Sequence, residues 1–275
     1  MTAWGQLFPA GSTPEETAKI IVHDRKFGMR GKAKAIEDGD KIIPLIKKES
    51  KDFQGLDDRN SFWIAEVLGS IDSELSRKTL KELHQRRDGL APLVGSIGLG
   101  MHGAFPEEID ENSPLVKIVR KAHSKPETEL AIIALGYSGS AAALPPLHDL
   151  LSRKPNRYWH NVHACEALAR IRSVKSIPVL RECVENPGFL GVSLSAAYRA
   201  AISHGDKAST GLAIARISED PQGKLSSLVK ELERVTGLNY GYDKEKWEDW
   251  WASDGKDWKI PKQFLIAWDE QPGLL

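Results

Sequence analysis

The sequence predicts an all-α fold, an α–α superhelix of about five helix hairpins closed by a tryptophan-rich C-terminal cap. The first observation is internal repetition. Segments 126–151 and 160–184 superpose at an offset of about 33 residues, with Ala131 on Ala164, Ala134 on Ala167, Leu135 on Leu168, Pro145 on Pro178 and Leu147 on Leu180. The second is the spacing inside each copy: Leu135 and Leu147, like Leu168 and Leu180, stand about 12 residues apart, which fits two short amphipathic helices joined by a turn. The third is the cluster Trp247, Trp250 and Trp251 near the C-terminus, bulky apolar area placed where an open array needs a cover.

Taken in order, the chain begins its first helix at Ser12-Thr13-Pro14-Glu15-Glu16, with a hydroxyl cap, proline in the first turn and acids near the positive helix end. That helix carries Ala18, Ile20, Ile21 and Val22 and is expected to fade by Gly28 and Gly31. A second start at Asp40 leads into Ile42, Ile43, Leu45 and Ile46, so the two make a divergent first repeat. Residues 60–71 form the next unit, with Ile64, Ala65, Val67 and Leu68 on one stripe. Leu80 follows Leu68 by the same spacing as in the central pair, and Ala65 and Leu68 occupy the columns of Ile132 and Leu135. Between Leu90 and Pro114 the glycine-rich sequence breaks the pattern and is expected to hold an insertion or a distorted helix. A short amphipathic helix resumes over 115–121, the central pair follows, and Ser195 to Ala201 continues the array. Small residues in these columns let the helices of a unit approach closely. A last helix is expected over roughly 225–235. The array then spans 1–235 and the capping segment 236–275, with the final residues from Trp268 to Leu275 folding back onto it.

Composition narrows the function classes. Lysine plus arginine equals aspartate plus glutamate at 38 each, and this neutral balance argues against broad, salt-driven nucleic-acid binding. No apolar run reaches the length of a membrane span, and the first residues lack the basic start and apolar core of a signal peptide, so a cytoplasmic protein without a membrane partner is expected. Two cysteines do not make a disulfide scaffold. Cys165 and Cys183 fall in core columns, each nine residues from the turn near Val174, so antiparallel helices bring them to similar height.

The pattern of small residues before Ala-Leu, a turn, and a proline-started second helix is best seen in Ala164-Cys165-Glu166-Ala167-Leu168 and Ile177-Pro178-Val179-Leu180. It resembles the HEAT repeat, especially the short bacterial form of bilin-lyase-type proteins. The tail from Thr236 is similar to the closing segment of bacterial HEAT-repeat proteins, in which a Gly-Tyr-Asp turn, here Gly241-Tyr242-Asp243, precedes a Trp-x-x-Trp-Trp helix. Asp243 is expected to cap that helix, with Trp247 and Trp251 on one face and Trp250 the most exposed of the set if the rings form a ligand platform rather than a cap.

Candidate chemistry is sparse. Gly98-x-Gly100-x-x-Gly103 has dinucleotide-binding spacing, but no strand precedes it and Ala104-Phe105-Pro106 follows where a helix should start. It reads as an irregular joint over 95–105, with Met101 and His102 as candidate binding-surface residues. His160, His163 and Glu166 lie along one helix without a fourth ligand, so no metal site is expected. No catalytic set or cofactor site stands out.

Second helices of HEAT units usually line the concave, partner-binding face, a placement the resemblance implies. Superposition puts Lys47, Lys81, His148 and Arg181 in one column there, beside Lys48, Glu82, Asp149 and Glu182 in the next. A basic ladder next to a mostly acidic one largely neutralises itself. The resulting expectation is a non-enzymatic interaction scaffold for a protein or peptide, using Lys47, Lys81, His148, Asp149, Arg181 and Glu182. The resemblance also implies two alternatives. One is a bilin-lyase-like enzyme or chaperone, which needs a tetrapyrrole cleft. The other is a HEAT-like nucleic-acid-binding protein, whose groove should be basic.

Overall fold

The computed structural model describes residues 13–23, 28–53, 58–122, 126–153, 158–218 and 225–265. Every regular element among them is helical. Helix α1 (Pro14–His23) opens on a reciprocal capping box: Glu16 Oε2 accepts from the Thr13 N–H at 2.9 Å and Thr13 Oγ1 from the Glu16 N–H at 3.3 Å. Helix α2 (Gly28–Asp38) runs through the stretch where the glycines predict a break. Gly31 serves packing there, since a Cβ on it would lie 3.2 Å from Ile21 Cδ1 of α1. Helix α3 (Ile42–Glu49) buries Ile42, Ile43 and Ile46, and α4 (Asp58–Ser70) buries the expected stripe of Ile64, Ala65, Val67 and Leu68. Helix α5 (Glu74–His84) starts at Ser73, whose hydroxyl accepts from the Ser76 N–H at 3.0 Å.

Helix α6 (Ala91–Met101) corrects the expectation of a distorted joint, because the glycine-rich stretch forms a regular helix. Each glycine of the Gly98-x-Gly100-x-x-Gly103 string has a packing or stopping role. A Cβ on Gly98 would run into the Leu80 methyls, and one on Gly100 would lie 2.7 Å from Tyr137 Cβ. Gly103, at φ 68°, ends the helix in a Schellman motif, with the Ala104 N–H donating to Leu99 O at 2.9 Å and the Gly103 N–H to Gly100 O at 3.0 Å. Gly95 admits the backbone of α5 itself: a Cβ there would strike the His84 amide and sit 2.6 Å from Leu80 O. Met101 ends the helix and His102 caps it.

Helix α7 (Pro114–Lys121) is followed by the repeated segments, which form α8 (Pro126–Ser138), α9 (Leu144–Ser152), α10 (Tyr158–Ile171) and α11 (Ile177–Glu185). The second helices of the pair start alike. The Ser140 hydroxyl accepts from the Ala142 N–H at 3.2 Å and the Ser173 hydroxyl from the Lys175 N–H at 3.4 Å, a 3-10 turn follows, and proline occupies the first turn of α9 and α11. Helix α12 (Gly191–Ser203) continues the array, and α13 (Ala208–Ser218) is a separate helix that the sequence pattern did not single out. Helix α14 (Ser226–Thr236) stops at Gly237, φ 78°, and α15 (Lys244–Ala252) carries the tail tryptophans.

The chain divides into two compact units. In the first, α1 packs on α2 and α3, α4 on α2, α5 and α6, and α6 on α8, around fully buried Ile21, Ile46, Leu68, Leu80, Ile97 and Leu130. In the second, α10, α12 and α14 make one layer, and α7, α9, α11, α13 and α15 follow one another in the other. Its core holds Phe189, Tyr198 and Trp247. Cys165 of α10 and Cys183 of α11 are buried free thiols in contact, as their spacing predicts; the neighbouring thiol and burial push Cys165 far above the usual thiol range.

Arginines tie successive second helices together. Arg216 of α13, 9% exposed, donates through Nη1 to Val184 O at 2.9 Å and Asn186 O at 2.7 Å, and through Nη2 to Phe189 O at 3.2 Å, which caps the C-terminal end of α11. Arg153, just past α9, donates to Arg120 O of α7 at 2.7 Å. In the first unit Arg86, just past α5, donates to Asp52 O beyond α3 at 2.5 Å. Donor and acceptor are 33 residues apart at Arg153–Arg120, 34 at Arg86–Asp52 and 32 at Arg216–Val184, one repeat length each time.

The sequence after α3 is conformationally costly. Lys51, Asp52 and Phe53 have φ of 49°, 58° and 63°, three consecutive left-handed residues of about 1–3 kcal/mol each. They are held by Asp52 N–H donating to Lys47 O at 2.8 Å, Phe53 N–H to Ser50 Oγ at 3.1 Å, and the Arg86 bond to Asp52 O.

Two stability predictions follow from this packing. Gly95→Ala should lower stability by about 1–3 kcal/mol in urea unfolding followed by circular dichroism, because backbone must move, whereas Gly98→Ala should cost less because the Leu80 side chain can yield. Equal costs would contradict the assignment. The second concerns His204, 7% exposed, whose Nε2 lies 3.2 Å from Leu168 O. Burial pushes its pKa down, as it does for His102 and His148, so these rings are neutral in the folded chain. Protonation is easier in the unfolded state, so stability is complete above an unfolded histidine pKa of about 6.5 and falls as pH drops below it. The urea midpoint should hold from neutral pH upward, decline on acidification below that value, and decline less in His204→Gln.

Candidate functional site

The second helices of each unit carry the residues singled out by column. In the first unit, Lys47 of α3 is half-exposed and pairs with Asp52 at 3.5 Å. Asp52 in turn lies 3.7 Å from Arg86, and Arg86 grips Asp88 with bonds of 2.9 and 2.7 Å. The hydrogen bonds between Arg86 and Asp88 raise the arginine and hold the aspartate below the usual carboxylate range. Lys81 and Glu82 of α5 are both exposed and have no ion-pair partner among the described residues.

Between α3 and α5 lies a pocket of about 220 Å³. Phe53, Leu83 and Thr79, all nearly buried, line its floor, and Lys47, Asp52, Glu82 and Arg86 its rim. The left-handed turn at 51–53 places both Asp52 and Phe53 there. The column comparison found Lys47 and Glu82 but missed Asp52, Phe53 and Arg86. A signal did exist: Asp52 and Arg86 are 34 residues apart, close to the repeat length.

In the second unit, the structure takes two of the expected cations out of play. Arg181 of α11 binds Asp206 through both carboxylate oxygens, Nε to Oδ2 at 2.8 Å and Nη2 to Oδ1. Asp206 is 4% exposed and accepts from the Ser209 hydroxyl at 2.6 Å at the start of α13. Burial pushes its carboxyl up, but the bonds from Arg181 and Ser209 outweigh this and hold it ionised below the usual range. His148 of α9 lies 3.3 Å from the Ser176 hydroxyl, and burial keeps its ring neutral despite nearby Asp149. Asp149 of α9 and Glu182 of α11 are exposed, on helices that pack together, and neither has a partner among the described residues.

The remaining candidates make contacts within the chain. Met101 and His102 are half-buried against α4: a Cβ on Gly69 would lie 3.0 Å from Met101 Cβ, and His102 is lowered by burial and by Arg77, with Leu68 O in hydrogen-bonding reach. His163 pairs with Glu166 at 3.6 Å and stacks on Trp159, while His160 is buried; no group of three metal-binding side chains occurs among the described residues.

The tail packs on α13 and α14. Asp243 caps α15 by accepting from the Lys246 N–H at 3.1 Å, as expected. Trp247 is fully buried, with Nε1 donating to Gly241 O at 2.9 Å and Tyr240 edge-on at 5.0 Å. Trp250, expected to be exposed only if the rings form a ligand platform, is 8% exposed because Trp247 and Trp258 meet it edge-on at 6.1 and 5.8 Å. Trp251 is half-buried over Gly211, where a Cβ would lie 2.8 Å from its Nε1, and Lys207 sits 5.8 Å above its ring. Tyr242 remains exposed. Residues 268–275, expected to fold back, lie outside the described residues.

No described helix is long and apolar enough to cross a membrane. No curated protein and no solved structure matches the chain. The family model for HEAT repeats matches residues 112–201, which run from the start of α7 into α12 and include the Ser140 and Ser173 caps and the Ala-Leu columns. Over that region, about a third of the chain, the sequence is similar to HEAT repeats.

Proposed function

We propose that the protein is a non-enzymatic interaction scaffold that binds a protein or peptide segment through the exposed faces of its second helices. HEAT repeats commonly serve as protein-interaction scaffolds, and the observation that carries the reading here is the state of the charges on α9 and α11. Arg181 is held by Asp206 and His148 is neutral, whereas Asp149 and Glu182 are exposed and uncompensated. A surface with free carboxylates supports a basic partner segment, and it gives no support to duplex binding, which needs free cations along the groove. The capping role of 236–265 belongs to the same proposal: Trp247 and Trp250 bury the end of the second unit and leave its helix faces for the partner.

The test is affinity capture with the tagged full chain, set against Asp149→Lys/Glu182→Lys. Both positions are exposed, so the variant should keep the native circular dichroism spectrum. The expected result is a basic protein captured stoichiometrically by the native chain and reduced about tenfold or more by the variant, with capture weakening as salt rises. Capture unaffected by the variant would move the site off this face, and no captured protein would remove the scaffold reading.

A further inference from the structure

We propose that the pocket between α3 and α5 seats an arginine side chain of a partner segment, with its methylene stem on Phe53 and Leu83 and its guanidinium on Glu82. The proposal deepens the scaffold reading and rests on it for the source of the arginine. Size is the first argument. At about 220 Å³ the pocket falls below the range of drug-sized ligand sites, which starts near about 300 Å³, and suits a single large side chain.

Its chemistry selects which one. Phe53 and Leu83 are 4% and 2% exposed and offer only carbon to the occupant. Thr79 is nearly buried too, and its hydroxyl proton is donated to Leu75 O at 2.8 Å. An apolar stem therefore meets an apolar floor. On the rim, Lys47 and Arg86 are answered by Asp52 and Asp88, at 3.5 and 2.7 Å. Glu82 has no partner among the described residues, so the rim keeps one uncompensated negative charge at that position. An anionic occupant would have to displace Asp52 from both cations and would face Glu82. A wholly apolar one would cover Glu82 without pairing it, which is unfavourable. An amphipathic cation satisfies both floor and rim. Arginine fits better than lysine because its planar fork can take both oxygens of one carboxylate.

The site is also preformed. Phe53 forms the floor only because three successive residues adopt left-handed φ, and the bonds from Ser50, Lys47 and Arg86 fix that turn. A strained turn over-determined by its surroundings, beside a pocket of side-chain size, is the arrangement expected of an anchoring site, since little ordering remains to be done on binding.

The experiment is a nitrogen-15 amide titration of the full chain with Nα-acetyl-arginine amide, in parallel with the lysine and citrulline analogues. Citrulline keeps the shape of arginine and lacks its charge. Shifts confined to 47–53 and 79–86, with a dissociation constant on the order of 10 mM, are expected for a lone side chain. They should be about threefold weaker in Glu82→Gln, weaker for lysine and absent for citrulline. No shift at these positions, equal response to citrulline, or unchanged affinity in Glu82→Gln would overturn the proposal. Lysine binding as well as arginine would overturn the arginine assignment. The probe contains no partner protein, so the two readings fail separately. Capture lost in Asp149→Lys/Glu182→Lys without arginine shifts removes the pocket alone. Arginine shifts without a captured protein remove the scaffold alone.

Discussion

A helix ends with backbone carbonyls that have no partner inside it, and stacking helix on helix buries those ends against the next repeat. This chain answers the constraint with arginine. Arg216 supplies donors to Val184, Asn186 and Phe189, Arg153 to Arg120, and Arg86 to Asp52, each across about one repeat. A guanidinium suits the task because it stays charged when buried and presents several donors from one plane. Leaving the buried carbonyls of Val184 and Phe189 bare would cost about 1–3 kcal/mol apiece, which is large against the stability of a whole domain, whereas the bonds to Arg120 and Asp52 lie at the surface and contribute less. The period of the sequence is therefore also a hydrogen-bonding register between neighbouring second helices within each unit.

The same arrangement shapes the exposed face. Arginines that clamp a helix end or a cap are not available to a partner, and burial withdraws His148. A chain of zero net charge thus presents local acidity at Asp149 and Glu182, while on α5 the exposed Glu82 stands beside an equally exposed Lys81. Pairing across the columns does not bring this about, because the partners of Lys47 and Arg181 are Asp52 and Asp206, which lie in turns rather than in the neighbouring acidic column. Formal charge read along a helix face says little until the turn residues are placed.

Much of the fold was legible in the sequence because it rests on short-range pattern. The Ala-Leu columns and the prolines that start the second helices encode helix, turn and helix locally, and the match to HEAT repeats over 112–201 coincides with that stretch. Glycine misled the reading twice. At Gly31 and along α6, glycine lets another helix come close rather than breaking its own, and only the neighbour's position distinguishes the two uses. Helix periodicity left the choice between cap and platform open for Trp250 for a related reason: Trp258, which covers it, comes after the helix and outside its periodicity. Of the candidate site, the columns located α3, α5, α9 and α11, but the pocket depends on a non-glycine left-handed turn at 51–53 that no composition rule signals.

Arginine is the tie between repeats, and hydrogen–deuterium exchange of the full chain carrying Arg216→Met tests this most directly. Methionine preserves much of the buried apolar bulk while removing every donor. If the clamp holds the register, peptides covering 181–190 and α13 should exchange faster, while α3 to α5 of the first unit keep native protection. Unchanged exchange over 181–190, or an even rise along the whole chain, would contradict it.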